Sequence, residues 1–111
     1  MAQAAEDRIP LSVAIIALNA AGQIGPCLAS VAFADEIVVV DSGSTDGTQE
    51  IVRSHGGRVE HKDWMGFGRQ KQHAVACARN DWVLCLDADE RVTPELERSI
   101  RSAMAGGRYH A

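Results

Sequence analysis

Asp81-Trp82-Val83-Leu84-Cys85-Leu86-Asp87-Ala88-Asp89-Glu90 is an apolar run that ends abruptly in three carboxylates. The apolar residues from Trp82 to Leu86 are too few for a comfortable helix and lack the alternation of a half-buried strand. They suit a parallel strand covered on both faces, with Cys85 as an inert core thiol. The acids then stand where the strand leaves its sheet. Open α/β sheets bind ligands in the crevice outside the carboxyl ends of their strands, and paired carboxylates there hold a hard divalent cation against phosphate oxygens. The stretch points to an α/β fold and to metal-assisted phosphate chemistry.

The rest of the chain agrees with that fold. Leu11 to Leu18, interrupted only by Ser12, gives a first strand with Asn19 as its polar exit. Between Gln23 and Phe33 the apolar residues Ile24, Leu28, Val31 and Ala32 recur at helical spacing, and Pro26 lies near the start, where a helix tolerates it. Glu36 to Val40 is a β-branched run that leads into Asp41-Ser42-Gly43-Ser44-Thr45-Asp46-Gly47. Gly43 and Gly47 permit positive φ there, and the hydroxyl and carboxylate side chains bond to nearby amides. Asp46 and Gln49 have the spacing of a capping box, and Ile51 and Val52 give the ensuing helix an inner face before Gly56-Gly57 stops it. Arg58 to Lys62 is a weaker strand, and Gly66-Phe67-Gly68 a flexible bend. Ala74, Val75, Ala76 and Ala78 favour a helix through about Arg79. Thr93 as N-cap, Pro94 as first residue and Glu95 in the first turn open a last helix that runs to about Met104 before Gly106-Gly107. Strands alternating with helices imply parallel pairing through right-handed crossovers.

A length of 111 residues allows one domain, and 46% hydrophobic with 23% charged residues is the composition of a globular chain. The net charge of −4 argues against a nucleic-acid surface. The basic residues are scattered, with Arg69, Lys71 and Arg79 nearest to a group. Cys27, Cys77 and Cys85 form no Cys-x-x-Cys pair, which disfavours both a disulfide framework and a zinc site. His55, His61, His73 and His110 have no partner at ligand spacing and are read as non-catalytic. Met1 to Pro10 lacks the basic-then-apolar order of a signal peptide, and no run of about 18 apolar residues occurs. The expected location is cytoplasmic, compatible with peripheral attachment at the inner face of a membrane.

Parallel pairing brings Asn19, Asp41, Asp87 and Asp89 to one sheet edge. Asp41 is able to accept a hydrogen bond from a base or sugar. On the extended exit of the strand Asp87 and Asp89 divide the work, one holding a ligand and the other a metal. Such an arrangement suits a nucleoside diphosphate. Ser44, Thr45 and Asp46 are accounted for by turn and cap duties. Lys71 and Arg69 suit the wet face of a helix. Trp64 and Phe67 either stack on a sugar or base or pin their loop to the sheet.

Two segments, in this order and spacing, resemble the N-terminal, donor-binding half of a family 2 glycosyltransferase of the GT-A fold. Val39-Val40-Asp41-Ser42-Gly43-Ser44-Thr45-Asp46-Gly47-Thr48 is similar to the family's nucleotide-binding strand and turn, and Asp87-Ala88-Asp89 to its Asp-x-Asp motif. Asp63-Trp64-Met65-Gly66-Phe67-Gly68-Arg69-Gln70-Lys71-Gln72, with Asp81-Trp82, further resembles the branch of lipopolysaccharide core β-glucosyltransferases. The likeness covers residues 10–105, which leaves 1–9 and 106–111 as tails.

The resemblance implies a Rossmann-like, mostly parallel sheet of about four strands with flanking helices, cut short relative to the whole enzyme. It implies a hexosyltransferase that uses a UDP-sugar donor with Mg²⁺ or Mn²⁺ and a saccharide acceptor in lipopolysaccharide core biosynthesis. By position, Asp41 would contact uracil, Asp87 the ribose and Asp89 the metal that bridges the diphosphate. Lys71 would support the phosphates, and Asn19 lies beside the base pocket. The catalytic base and the acceptor site are expected beyond residue 111. In the family's strand order the Trp82–Leu86 strand lies inside the complete sheet, so an open side here invites self-association. Two rivals stand beside this reading. One is a non-catalytic, truncated nucleotide-sugar-binding fragment. The other is an aspartyl-phosphate-type phosphohydrolase, which expects Thr or Val where Arg91 stands.

Overall fold

Strands and helices alternate strictly along residues 8–106, the part of the chain that the computed structural model describes. The order is β1 (Ile9–Ala17), α1 (Ile24–Ser30), β2 (Ala34–Asp41), α2 (Thr48–Ser54), β3 (Arg58–His61), α3 (Phe67–Cys77), β4 (Trp82–Asp87) and α4 (Pro94–Gly106). The strands form one sheet in the order β3-β2-β1-β4, with every pair parallel. This is the Rossmann-like α/β arrangement that the alternation implies. The expected tails at 1–9 and 106–111 lie largely outside the described residues. No helix of the described part is long and apolar enough to cross a membrane.

The unbroken apolar runs of β1 and β2 follow from burial on both sides. Val13, Ile15, Ala17 and Val39 pack with Ile24, Cys27 and Leu28 of α1 and Val52 of α2, with Ile100 and Met104 of α4 at the margin. Ala14, Ile16, Val38 and Val40 turn the other way and meet Ala74 of α3. The small Ala74 lets α3 approach the sheet closely. Pro10 brings no N–H to the ladder, and the β1–β2 register slips by one residue between Ile9 and Ser12.

Two expectations are corrected. β4 is covered less than its composition implies: Val83 and Leu84 are half-buried and Cys85 is exposed. The reason is position, because among the described residues β4 pairs with β1 alone and α3 lies chiefly over β1 and β2. The bend at Gly66-Phe67-Gly68 is confined to Gly66, whose φ of 95° sets the N-terminus of α3, and Phe67 and Gly68 are already helical. The basic residues are dispersed in the structure as in the sequence. Arg79 lies at the opposite sheet edge, where it and Arg58 pair with Glu36, which also accepts the Ser12 hydroxyl at 2.7 Å.

Register sets the functional edge. Asp41 stands beside Ala17 and His61, and Asp87 beside Ile16, so the ends of all four strands lie within one residue of a common row. Two strand spacings separate Asp41 from Asp87, about 10 Å, too far for them to share one cation. They act on different parts of any ligand that spans the edge.

Candidate functional site

The first half of the site is the turn after β2. Asp41 is only 2% exposed, and its Oδ2 accepts the amides of Gly43 at 2.9 Å and Ser44 at 2.7 Å, together with Gln49 Nε2 at 3.0 Å. Its Oδ1 accepts the Ser44 hydroxyl. The carboxylate thus shapes the turn from within. Asn19 joins the end of β1 to this turn: its amide donates to Ser44 Oγ and its Oδ1 accepts the Thr45 amide, both at 2.8 Å. Asn19 holds φ at 50°, the left-handed region that asparagine tolerates better than most residues.

The capping box expected between Asp46 and Gln49 does not form. Gln49 turns inward to Asp41 and to the Ser44 carbonyl, and Gly47, at φ 93°, occupies the N-cap of α2. Asp46 instead ties two loops together, accepting the Thr48 hydroxyl and the amides of Ala21 and Thr48. The Thr48 hydroxyl, then the Ala21 amide, hold the Asp46 carboxyl below the usual carboxylate range. Buried Thr48 accepts the Ala20 amide at 3.0 Å and completes the link between the ends of β1 and β2.

The second half lies at the end of β4. The expected extended segment ends at Asp87, the last residue of β4, and Asp89 lies within a tight turn. The Glu90 amide donates to the Asp87 carbonyl at 3.0 Å, and Glu90 Oε1 accepts the Asp87 amide at 2.7 Å. Glu90 thus supplies an acceptor for the Asp87 amide where the strand ends. Cys27 of α1 lies beneath it, its thiol against the Asp87 carbonyl at 3.8 Å. Burial, reinforced by the negative charges of Glu90 and Asp89, pushes that thiol up to about 11, so it stays protonated and inert.

Lys71 of α3 reaches the same turn. Its Nζ stands 3.5 Å from Asp87 Oδ1, an oxygen that is itself buried and has no hydrogen-bond partner among the described residues. Asp41 and Asp87 leave the sheet on opposite faces, one bonded to α2 and the other paired with α3.

Beside this second half opens a cleft of about 570 Å³ lined by Ile16, Ala17, Leu18, Trp64, Phe67, Asp87 and Asp89. Trp64 and Phe67 are 50% and 68% exposed, so they do not pin their loop to the sheet. They pack edge to face on each other, centroids 4.8 Å apart, and present an aromatic wall to the cleft. The loop is held instead by Gln70, a residue that sequence reasoning missed. Fully buried, Gln70 donates to the Ser42 hydroxyl and the Lys62 carbonyl and accepts the Met65 amide. Its place one turn before Ala74 on the inner face of α3 is the signal that marks it.

Among the described residues no three His, Cys, Asp or Glu side chains converge as a ready-made metal cage. Two carboxylates on one open cleft fit a different kind of site. Mg²⁺ is commonly held by one or two protein carboxylates and completed by substrate phosphates and water.

The sequence and the fold have matching relatives. The family model described as glycosyl transferase family 2 matches residues 12–110. An uncharacterized glycosyltransferase of Rickettsia bellii is 43% identical over 96 residues, 86% of this chain and 33% of that protein. The lipopolysaccharide core biosynthesis glycosyltransferase LpsC of Rhizobium meliloti is 39% identical over 103 residues, 88% of this chain and 38% of that protein. Among solved structures, residues 1–349 of Staphylococcus aureus TarS superpose with a TM-score of 0.75 at 26% identity, covering 88% of this chain and 33% of that one. Glucosyl-3-phosphoglycerate synthase of Mycobacterium tuberculosis, in complex with Mn²⁺, UDP and glucosyl-3-phosphoglycerate, superposes with a TM-score of 0.63 at 27% identity over 73% of this chain and 35% of that one. The chain therefore spans about a third of the length of the relatives it matches. The family match also overturns the phosphohydrolase alternative. Motif, fold and match agree: the chain belongs to glycosyltransferase family 2.

Proposed function

We propose that this chain is the donor-binding part of a glycosyltransferase and that its cleft takes a nucleoside diphosphate sugar, UDP-linked in the first instance, with Mg²⁺ or Mn²⁺. One observation carries the reading. Asp87 and Asp89 open into the same cleft as the β1 end and the aromatic wall, on the sheet edge that Asp41 and Asn19 also frame. The LpsC relative supports a role in lipopolysaccharide core assembly, with a hexose transferred to a saccharide acceptor. The Mn²⁺ and UDP in the mycobacterial neighbour support the choice of metal and nucleotide.

In this reading Asp89 binds the cation and Asp87, beside it, contacts the ribose. Bound there, the cation supplies Lewis-acid stabilisation to the departing diphosphate. Lys71 adds a positive charge from α3. Asp41, whose oxygens already accept hydrogen bonds from the turn, acts mainly by setting the rim on which the base rests, with Asn19 holding that rim to β1. Glu90 is engaged with the Asp87 amide and is no free base. The acceptor and the base belong to the part of the relatives that this chain does not span. A second reading draws on the same coverage: the chain binds the donor without transferring it.

Amide chemical shifts on titration with UDP and Mg²⁺ test the proposal. Changes concentrated at 16–19, 41–45 and 87–90 are expected, whereas scattered or absent changes in the folded chain contradict it.

A further inference from the structure

The Lys71–Asp87 contact has an unusual balance. Asp87 Oδ1 is buried without a hydrogen bond, yet the side chain as a whole is 46% exposed toward the cleft. A buried carboxylate oxygen without a hydrogen bond is costly, and among the described residues its ion-pair partner is the Lys71 ammonium at 3.5 Å. That ammonium sits on a flexible stem, and its own side chain is 45% exposed. Asp87 and Asp89 with Lys71 leave the cleft with a single net negative charge. A divalent cation arriving alone at Asp89 meets a site already half neutralised, with a like charge held on the neighbouring Asp87. A cation arriving with a diphosphate brings the anion to which Lys71 transfers.

We propose that Lys71 is a counter-ion latch: it occupies Asp87 while the cleft is empty and makes cation binding depend on the diphosphate. This rests on the reading of the cleft as a nucleoside-diphosphate site. The latch excludes adventitious cations from the empty cleft and admits them with the donor. Lys71 pairs with Asp87 in one state and with the diphosphate in the other, and no covalent bond is made or broken in this step. Its place in the first turns of α3 leaves it movable without disturbing the buried face of that helix, which is made by Gln70 and Ala74.

The test uses the 111-residue chain and its Lys71→Met and Lys71→Arg variants. Free Mn²⁺ is followed by electron paramagnetic resonance without nucleotide, and UDP binding is measured calorimetrically at saturating Mn²⁺. Lys71→Met is expected to bind Mn²⁺ alone roughly tenfold more tightly, because a like charge within a few ångströms has been removed. The same variant is expected to bind UDP roughly tenfold more weakly, because a charge-assisted phosphate contact is lost. Lys71→Arg keeps the charge and is expected to move both constants much less than Lys71→Met does. Effects of opposite sign separate a latch from a structural prop, whose loss weakens both ligands together. Unchanged constants, or two losses of the same sign, overturn the latch while leaving the cleft reading intact. Absence of both Mn²⁺ and UDP binding in the folded wild type overturns that reading and the latch with it.

Discussion

Glu90 and Asp87 close on each other twice: Glu90 Oε1 accepts the Asp87 amide at 2.7 Å, and the Glu90 amide donates to the Asp87 carbonyl at 3.0 Å. The acid next to the Asp-x-Asp pair is therefore the clasp of the turn that presents both aspartates. Glu90→Ala leaves the Asp87 amide without its acceptor and is expected to destabilise the chain by about 1 kcal/mol. Glu90→Gln keeps an acceptor oxygen and is expected to stay near wild type. Urea denaturation of the two variants checks the difference, and equal losses in both contradict the clasp.

Asp41 is a stronger case of the same kind. Asp41→Asn replaces one acceptor oxygen by an amide group that faces donors from Gly43, Ser44 and Gln49. The expected cost is about 1–3 kcal/mol, seen as a lower denaturation midpoint at unchanged slope. A variant as stable as wild type contradicts the role of Asp41 as organiser of the turn.

Stability on the acid side depends on Glu36. Burial acts to raise its pKa, but hydrogen bonds from the Ser12 hydroxyl, the Arg79 amide and the Arg58 guanidinium outweigh it and hold Glu36 below its ordinary 4.5. A carboxyl depressed in the folded state contributes stability that is fully present above its unfolded value and is lost as pH falls through the folded one. Melting temperatures of wild type should therefore drop as pH falls below about 4.5. Glu36→Gln should flatten part of that drop, with the remainder set by Asp46, which is depressed in the same direction. An identical acid limb in the variant contradicts the assignment.

The outer side of β4 has no pairing partner among the described residues, and Cys85 on that strand is exposed. An unpaired strand edge templates pairing with another chain. The isolated 111-residue chain is expected to self-associate with rising concentration, and alkylation in the native state should reach Cys85 before buried Cys27. Sizing with light scattering and peptide mass mapping give both answers. A monodisperse monomer contradicts the first, and equal labelling of the two thiols the second.

Much of the fold was legible because β1 and β2 are unbroken apolar runs, because α1 carries helical spacing, and because Thr93-Pro94 is an unambiguous helix start, confirmed by the Leu96 amide on Thr93 Oγ1 at 3.1 Å. The sheet edge bearing Asn19, Asp41, Asp87 and Asp89 followed from parallel pairing alone. What was misread depended on tertiary partners. Cys85 resembles a core residue in composition, yet its exposure is set by the place of β4 in the sheet. Gln49 has capping-box spacing but is drawn to the buried Asp41, an attraction invisible in the local pattern. Gln70 is a polar residue on an inward helix face, and its value comes from the Ser42 hydroxyl, a distant segment in sequence.

Calorimetric titration of the purified chain with UDP, with and without Mn²⁺ and with Asp89→Ala alongside, bears most directly on the cleft. Binding that requires Mn²⁺ and is lost in Asp89→Ala is the expected result. Binding of UDP that is indifferent to both the cation and Asp89, or no binding at all by a folded sample, contradicts the assignment of this edge as a metal-assisted nucleotide-sugar site.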